Sequence, residues 1–348
     1  MIECEIVVLT NNIAKPFQDF HKKFRLDFIE SNKLLITKSL AEHGLGFLIN
    51  IYEIEDESQN RKLIKKVIFD TGGLNLTFLY NLHVMEYQIN DIDTIILSHW
   101  HYDHTGGLHR ILLQNQKEIP ILCHESAKFE RFFIKSDDVK SSDIDGKSKE
   151  DVNPFVMQSK LISQKPINIG DLSDLNGSVM FLNRSSKILN LSDLKITLSG
   201  EIPRKHEDED FSNFFSIQNK NILEIDKILD DKCLILEFKN NIILINGCCH
   251  SGLKNTLDYV KSISNKTISH IIGGFHMVNA SDYRINNTIE YLANFQQKEN
   301  DLFLFPMHCT GDRFLNNFLL KNRDQEKETR ISAFNVSVGT KFIFQSEI

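Results

Sequence analysis

The sequence predicts an α/β protein in which strands and helices stack in layers. Three observations carry that expectation. Strand-length apolar runs recur along the 348 residues, helical periodicity stands between several of them, and most runs end at their carboxyl side in polar or glycine-bearing loops. Both halves of the chain mix the two element types, so separate all-α and all-β domains are not expected. Hydrophobic residues make up 41% and charged residues 25%, a balance that supports a large buried core and sets disorder aside.

The expected strands, in order, are EIVVLT (5–10), GFLINIYEI (46–54), KVIFD (66–70), DTIILS (93–98), IPILC (119–123), CLILEF (233–238), NIILING (241–247), HIIGG (270–274) and LFLFP (302–306). Helices are expected where Leu253, Leu257 and Val260 recur at helical spacing, and again where Ile285, Ile289 and Leu292 do so. Residues 135–153, KSDDVKSSDIDGKSKEDVN, are charged, serine-rich and nearly without apolar side chains, which predicts a solvated insertion or mobile loop. The strand-like stretch 160–200 reads as the edge of the same subregion. The chain is therefore read as a single domain over 1–348 with an insertion or lid-like subregion at 125–200. Two strand-then-histidine-turn units, at 93–107 and 241–252, suggest duplicated halves.

A net charge of −7 without a long basic run lacks the electrostatic footprint of a nucleic-acid binder and favours a small-molecule substrate. No apolar stretch approaches membrane-spanning length and the first residues do not read as a secretory leader, so no membrane partner and a cytoplasmic location are expected. Six scattered cysteines fit reduced thiols better than a disulfide framework. Oligomeric state leaves no sequence signal.

Residues 98–107, SHWHYDHTGG, place three histidines and an aspartate between positions 99 and 104. Leu97 ends an apolar strand, so His99 and His101 leave it on an extended segment whose alternate residues share a side. Asp103 and His104 follow at the expected start of a helix, and Gly106 and Gly107 let the backbone turn closely beneath a bound ion. Clustering such groups is unfavourable unless an ion compensates their mutual desolvation. Four ligands on one turn can serve two cations, and each cation then needs partners from elsewhere. His250, His276 and His308 each lie just past another expected strand. Taken singly, each is more commonly a hydrogen-bonded loop histidine.

His99, His101, Asp103 and His104 resemble the signature of the metallo-β-lactamase superfamily. KVIFDTGG (66–73), SLAEHGLGFLI (39–49), SGEIPR (199–204), NGCCHSGL (246–253), GGFHM (273–277) and PMHCTG (306–311) extend the resemblance to most of the chain apart from 125–195. They resemble a hydrolase-like branch that includes archaeal synthases joining a dihydropterin to a ribofuranosylaminobenzene phosphate. The resemblance implies a four-layer αβ/βα sandwich with two divalent cations at one edge, zinc in the first place and manganese or iron as alternatives. It implies that His99, His101 and His250 hold one cation, that Asp103, His104 and His308 hold the other, and that Asp70 braces the loop from behind as a non-ligand.

The superfamily's bridging aspartate has no clear equivalent here. Cys248 is the nearest candidate for a bridging thiolate, set against the reading of a buried inert residue. His276 and His43 are expected to meet substrate. His206 is read as solvent-facing, and His21, His83, His109, His124, His270 and Cys309 as structural.

The resemblance first implies a hydrolase that activates water against a small ester, phosphoester or amide, with Asp103 as ligand and general base. The alternative is a transferase joining a dihydropterin pyrophosphate to an aromatic ribofuranosyl phosphate acceptor. A non-catalytic metal-binding protein comes third. A transferase needs a flat aromatic slot beside the cations, whereas a phosphodiesterase needs a groove with basic residues.

Overall fold

The protein is described from a computed structural model covering residues 1–15, 29–31, 38–55, 60–136, 138–209, 213–219, 221–295, 301–323 and 330–346. His21 lies outside the described residues. Two large sheets face each other. The first has the strand order Ile29–Ser31, Thr340–Gln345, Ile2–Thr10, Gly46–Ile54, Arg61–Thr71, Thr94–Ile96, Ile119–Cys123, Gly177–Phe181. The second runs Ser186–Asn190, Lys195–Leu198, Cys233–Glu237, Asn241–Asn246, Thr267–Gly274, Leu302–Met307, Ile331–Ala333.

Alternation along single strands explains the layering. In Ile2–Thr10, Cys4, Ile6 and Val8 enter the core between the sheets, while Val7 and Leu9 enter a second core on the outer face. Ile243 and Ile245 likewise meet the inter-sheet core, and Ile242 and Leu244 the opposite side. Both faces are buried, so these strands read as continuous apolar runs.

The outer core of the first sheet takes Phe78 and Leu82 from helix Thr77–Val84 and Ile111 from helix Leu108–Leu113. That of the second takes Leu253, Leu257 and Val260 from Leu253–Ile263, Ile285, Ile289 and Leu292 from Asp282–Phe295, and Phe314 from Asp312–Arg323. The result is the expected αβ/βα sandwich. Among the described residues no helix is long and apolar enough to cross a membrane. All six cysteines are free and buried.

The expected insertion divides. Gly177–Phe181 closes one edge of the first sheet, and Ser186–Asn190 with Lys195–Leu198 opens the second. Glu130–Ile134 and Leu161–Gln164 instead join Phe214–Ile217 and Leu223–Ile225 in a small four-stranded sheet. Residues 135–153 correct the expectation of a wholly solvated loop. Ile144 and Val152 are 0% and 3% exposed and pack with Phe132, Leu161 and Phe215 into that sheet's own core. Val139 packs against the same core, and these few apolar side chains suffice because the sheet is small.

Parallel pairing brings the sequence motifs together. Thr94–Ile96 lies between two parallel neighbours in the first sheet, and Asn241–Asn246, Thr267–Gly274 and Leu302–Met307 are successive parallel neighbours in the second. Their carboxyl ends therefore open on one edge, where α/β sheets place their ligands.

His270 lies within the packed interior, its ring centroid 5.1 Å from that of Phe303 and 4.9 Å from that of Phe344. Burial holds its pKa down to about 3. Below pH 6.5 the unfolded chain takes up a proton that the folded one refuses, so stability falls toward pH 3 by about 1.4 kcal/mol per pH unit. Urea titrations across that window should show a shallower acid limb for His270→Leu than for the parent; parallel limbs contradict this reading of the burial.

Candidate metal centre

Asp70 is the penultimate residue of strand Arg61–Thr71, which lies beneath the histidine loop. Its Oδ1 accepts from the Ser98 backbone N–H at 2.7 Å, and its Oδ2 accepts from Ser98 Oγ and from His104 Nδ1, both at 2.7 Å. The Ser98 hydroxyl proton is thus committed to Asp70, so Ser98 Oγ accepts from His99 Nδ1 at 2.8 Å. Both rings are fixed with Nδ1 as donor and Nε2 turned inward. His104 Nε2 lies 3.0 Å from Cys248 Sγ. Burial disfavours a charged His104, yet Asp70 and Asp103 outweigh it and raise the pKa to about 9.

Close packing sets this loop against the second sheet. A Cβ on Gly247 would lie 2.6 Å from Ser98 Cβ, so a glycine is needed where the strand from that sheet passes. The Lys232 backbone N–H donates to Ser98 O at 3.1 Å, and Trp100 N donates to Asp230 Oδ2 at 2.7 Å. Arg131, from the small sheet, reaches Asp230 Oδ1 at 2.7 Å, Asp226 Oδ2 at 3.2 Å and the Trp100 carbonyl at 3.3 Å. Sequence reading missed Arg131, Asp226 and Asp230, whose pairing joins residues far apart in the chain.

The donors gather in groups whose atoms lie within 4.8 Å of one another. Asp103, His104, Cys248 and His308 form one; His99, Cys248 and His250 form a second; Cys248, His276 and Cys309 form a third. Cys248 is shared by all three. His101 stands beside the second group, its ring centroid 4.5 Å from that of His99 and 4.9 Å from that of His250, but outside the donor spacing.

Burial, then the Arg131 charge, hold His101 down to about 3, and burial holds His99 and His250 well below the ordinary range. These imidazoles are neutral, as ligands must be. His99 Nε2 and both nitrogens of His250 are buried without a hydrogen-bond partner. Leaving such atoms unpaired costs about 1–3 kcal/mol each, and a coordinated cation removes that penalty. The donor set fits divalent metal.

Asp103 carries charge despite its burial. Desolvation opposes ionisation, but His104 and the hydrogen bonds of His308 and His43 hold the carboxyl well below its usual range. His308 Nε2 lies 3.1 Å from Asp103 Oδ2, and its Nδ1 lies 2.9 Å from Asn12 Oδ1. Asn11 Oδ1 accepts from the His308 backbone N–H at 3.1 Å. Asn11 and Asn12 were also missed; NN after the first strand was the available signal. His43 Nε2 is 3.4 Å from Asp103 Oδ2 at the half-exposed rim. His206 is away from these groups, paired with Asp258 at 2.8 Å.

A cavity of about 630 Å³ opens over the donors. Phe132, Phe133, Phe214, Phe215 and Tyr102 line it, and His43 and His276 reach it. Phe214 stacks on His101 with centroids 5.1 Å apart and planes at 16°, and Phe133 adjoins Phe214 at 4.9 Å.

The sequence profile described as Metallo-beta-lactamase superfamily matches residues 55–152. An uncharacterised protein of Methanocaldococcus jannaschii is 30% identical over 278 residues, covering 80% of this chain and 88% of that protein. The chain belongs to the metallo-β-lactamase superfamily. A second protein of that organism, named 7,8-dihydropterin-6-methyl-4-(beta-D-ribofuranosyl)-aminobenzene-5'-phosphate synthase, is 29% identical over 289 residues, covering 80% of this chain and 84% of its own. The crystal structure of Tm1679, described as a metal-dependent hydrolase of the beta-lactamase superfamily, superposes with a TM-score of 0.66 at 18% identity, covering 97% of this chain and 98% of that one. Within the superfamily fold, this chain sets a cysteine at the centre of its donor groups.

Replacing Asp70 by Asn removes the acceptor that orients His104 while keeping its volume. Metal affinity in a buffered competition titration should fall about 10–100-fold; an unchanged constant refutes the bracing role. Arg131→Ala leaves Asp226 and Asp230 buried without their cation, and urea unfolding should register a loss of about 3–5 kcal/mol.

Proposed function

We propose that the chain is a metal-dependent enzyme that acts on a planar aromatic, phosphate-bearing substrate, and that group transfer is its reaction. The supporting observation is the His101–Phe214–Phe133 ladder on one wall of the donor-lined cavity, a flat slot of the kind a pterin-like ring needs. Among the described residues Arg131 and Arg284 are the arginines that line the cavity, and Arg131 is already paired with two carboxylates, so a basic phosphodiester groove is less well supported. The relative named as a dihydropterin-ribofuranosylaminobenzene phosphate synthase points the same way.

In this reading His99, His250 and the adjoining His101 would hold one divalent cation, Asp103, His104 and His308 would hold a second, and Cys248 is a donor within reach of both groups. Imidazole and thiolate donors favour zinc, with manganese or iron as alternatives. When bound, such cations lower the pKa of coordinated water and polarise phosphoryl or carbonyl oxygens. The residues do the rest. Phe214 and Phe133 orient the ring, His43 meets the substrate at the rim, and the small sheet covers the slot. His276 also reaches the cavity and is a further candidate for substrate contact.

A second reading, hydrolysis of a small ester, phosphoester or amide, is favoured by Asp103. Its anionic carboxylate beside the donors is placed to accept a proton from water. Pyrophosphate release from a dihydropterin pyrophosphate separates the readings. Transfer requires release only when the aromatic ribofuranosyl phosphate acceptor is present, hydrolysis gives release without it, and no release in either case removes both for this substrate.

Phe214→Ala should raise KM by about 5–150-fold with metal content unchanged, since stacking on a base is worth about 1–3 kcal/mol. Asp103→Ala should lower kcat by about 10²–10⁴ while circular dichroism reports an intact fold. A fully active Asp103→Ala enzyme contradicts the assignment.

A further inference from the structure

We propose that Cys248, His276 and Cys309 form a separate site for a thiophilic cation of the zinc, cadmium or cuprous class, sharing Cys248 with the pair described above. Their ligand atoms lie within 4.8 Å of one another. Cys309 and His276 belong to neither of the other donor groups. His276 Nδ1 is buried without a hydrogen-bond partner, and both thiols are buried.

The fold constructs this cluster from three strand ends. Asn241–Asn246, Thr267–Gly274 and Leu302–Met307 are parallel neighbours, with Asn246 opposite Gly273 and Gly274 opposite Met307. Residues 248, 276 and 309 each lie two positions beyond one of those ends. The Cys309 carbonyl accepts from the backbone N–H groups of Met277 and Val278, both at 3.0 Å, which ties the His276 loop to the Cys309 turn. A Cβ on Gly274 would lie 2.7 Å from Cys309 Sγ, so the thiol occupies space that only glycine leaves. Cys309 Sγ in turn donates to the Cys248 carbonyl at 3.4 Å.

Two thiols and an imidazole match a Cys₂His zinc site with one open position. Binding requires no redox partner. The cation displaces the two thiol protons to solvent, and the thiolates offset its charge in a buried setting. The Asp103 group, with its carboxylate and two histidines, is harder, so the two sites differ in cation preference. Because Cys248 is common, a cation at this site draws the thiolate away from the pair, and excess thiophilic metal inhibits reversibly.

The test titrates the metal-depleted full chain with cadmium and with cobalt(II), following bound metal by elemental analysis and thiolate-to-metal charge transfer by absorption. Cys309→Ser should bind about one equivalent fewer per chain and lose part of the charge-transfer band, and His276→Ala should bind about one fewer as well. His308→Ala should lose a cation but keep the Cys309-dependent part of the band. Equal stoichiometry and an unchanged band in both Cys309→Ser and His276→Ala overturn the proposal, as does loss of the entire band in His308→Ala. If His308→Ala instead leaves the metal count unchanged while Cys309→Ser lowers it, the assignment of the pair fails and this site stands.

Discussion

A buried carboxylate, that of Asp70, is the constraint on which the metal loop depends. It accepts from a backbone N–H, a hydroxyl and an imidazole, and so fixes where the loop starts, how Ser98 is oriented and which nitrogen of His104 turns inward. Through Ser98 the same choice passes to His99. One anion thereby orients two rings before any cation arrives. It does so with a backbone φ of +58° at Asp70 itself, a left-handed conformation that few non-glycine residues adopt, aspartate, asparagine and histidine most often among them. Positive φ recurs at Cys249, His276 and His308, the turns that carry the donors of the second sheet. Local strain of this kind persists where surrounding contacts over-determine the backbone, and here it gathers where strand ends are bent to face one another.

The small sheet stands over this arrangement and is fastened to it by charge. Arg131 leaves that sheet, pairs with Asp226 and Asp230 and touches the backbone of Trp100, between two of the loop histidines. The phenylalanines beside Arg131 on the same strand reach the cavity. The aromatic wall and the donor loop are consequently not independent. A shift of the sheet that altered how a ring is stacked would also pull on the segment between His99 and His101.

Much of the sandwich was legible because its strands are buried on both faces and so appear as uninterrupted apolar runs. GFLINIYEI and IPILC coincide with strands Gly46–Ile54 and Ile119–Cys123. The histidine loop was legible through density alone, since four polar ligands in six positions have few other uses. Legibility failed where pairing is long-range. Asn11 supports His308 from the far end of the chain, and Arg131 meets Asp230 across 99 positions, with nothing periodic to announce either. Residues 135–153 misled for another reason: Ile144 and Val152 are sparse in a charged stretch, yet a four-stranded sheet needs only a small core. Cys248 was visible as an alternative, but only the convergence of three strand ends distinguishes a shared donor from an inert thiol.

The donors are split between the two halves of the sandwich. His99, His101, Asp103 and His104 leave the first sheet, while Cys248, His250, His276 and His308 leave the second. Neither the Asp103 group nor the His99 group is complete within one half, and the segments concerned are separated by more than a hundred residues of chain. Ion capture by those two groups would therefore be a late event in the life of each molecule, requiring both layers to have docked, and a captured ion would then work as a clasp between them. A chain whose halves had misassembled would leave both of these donor groups incomplete, so their occupancy would sort finished molecules from unfinished ones.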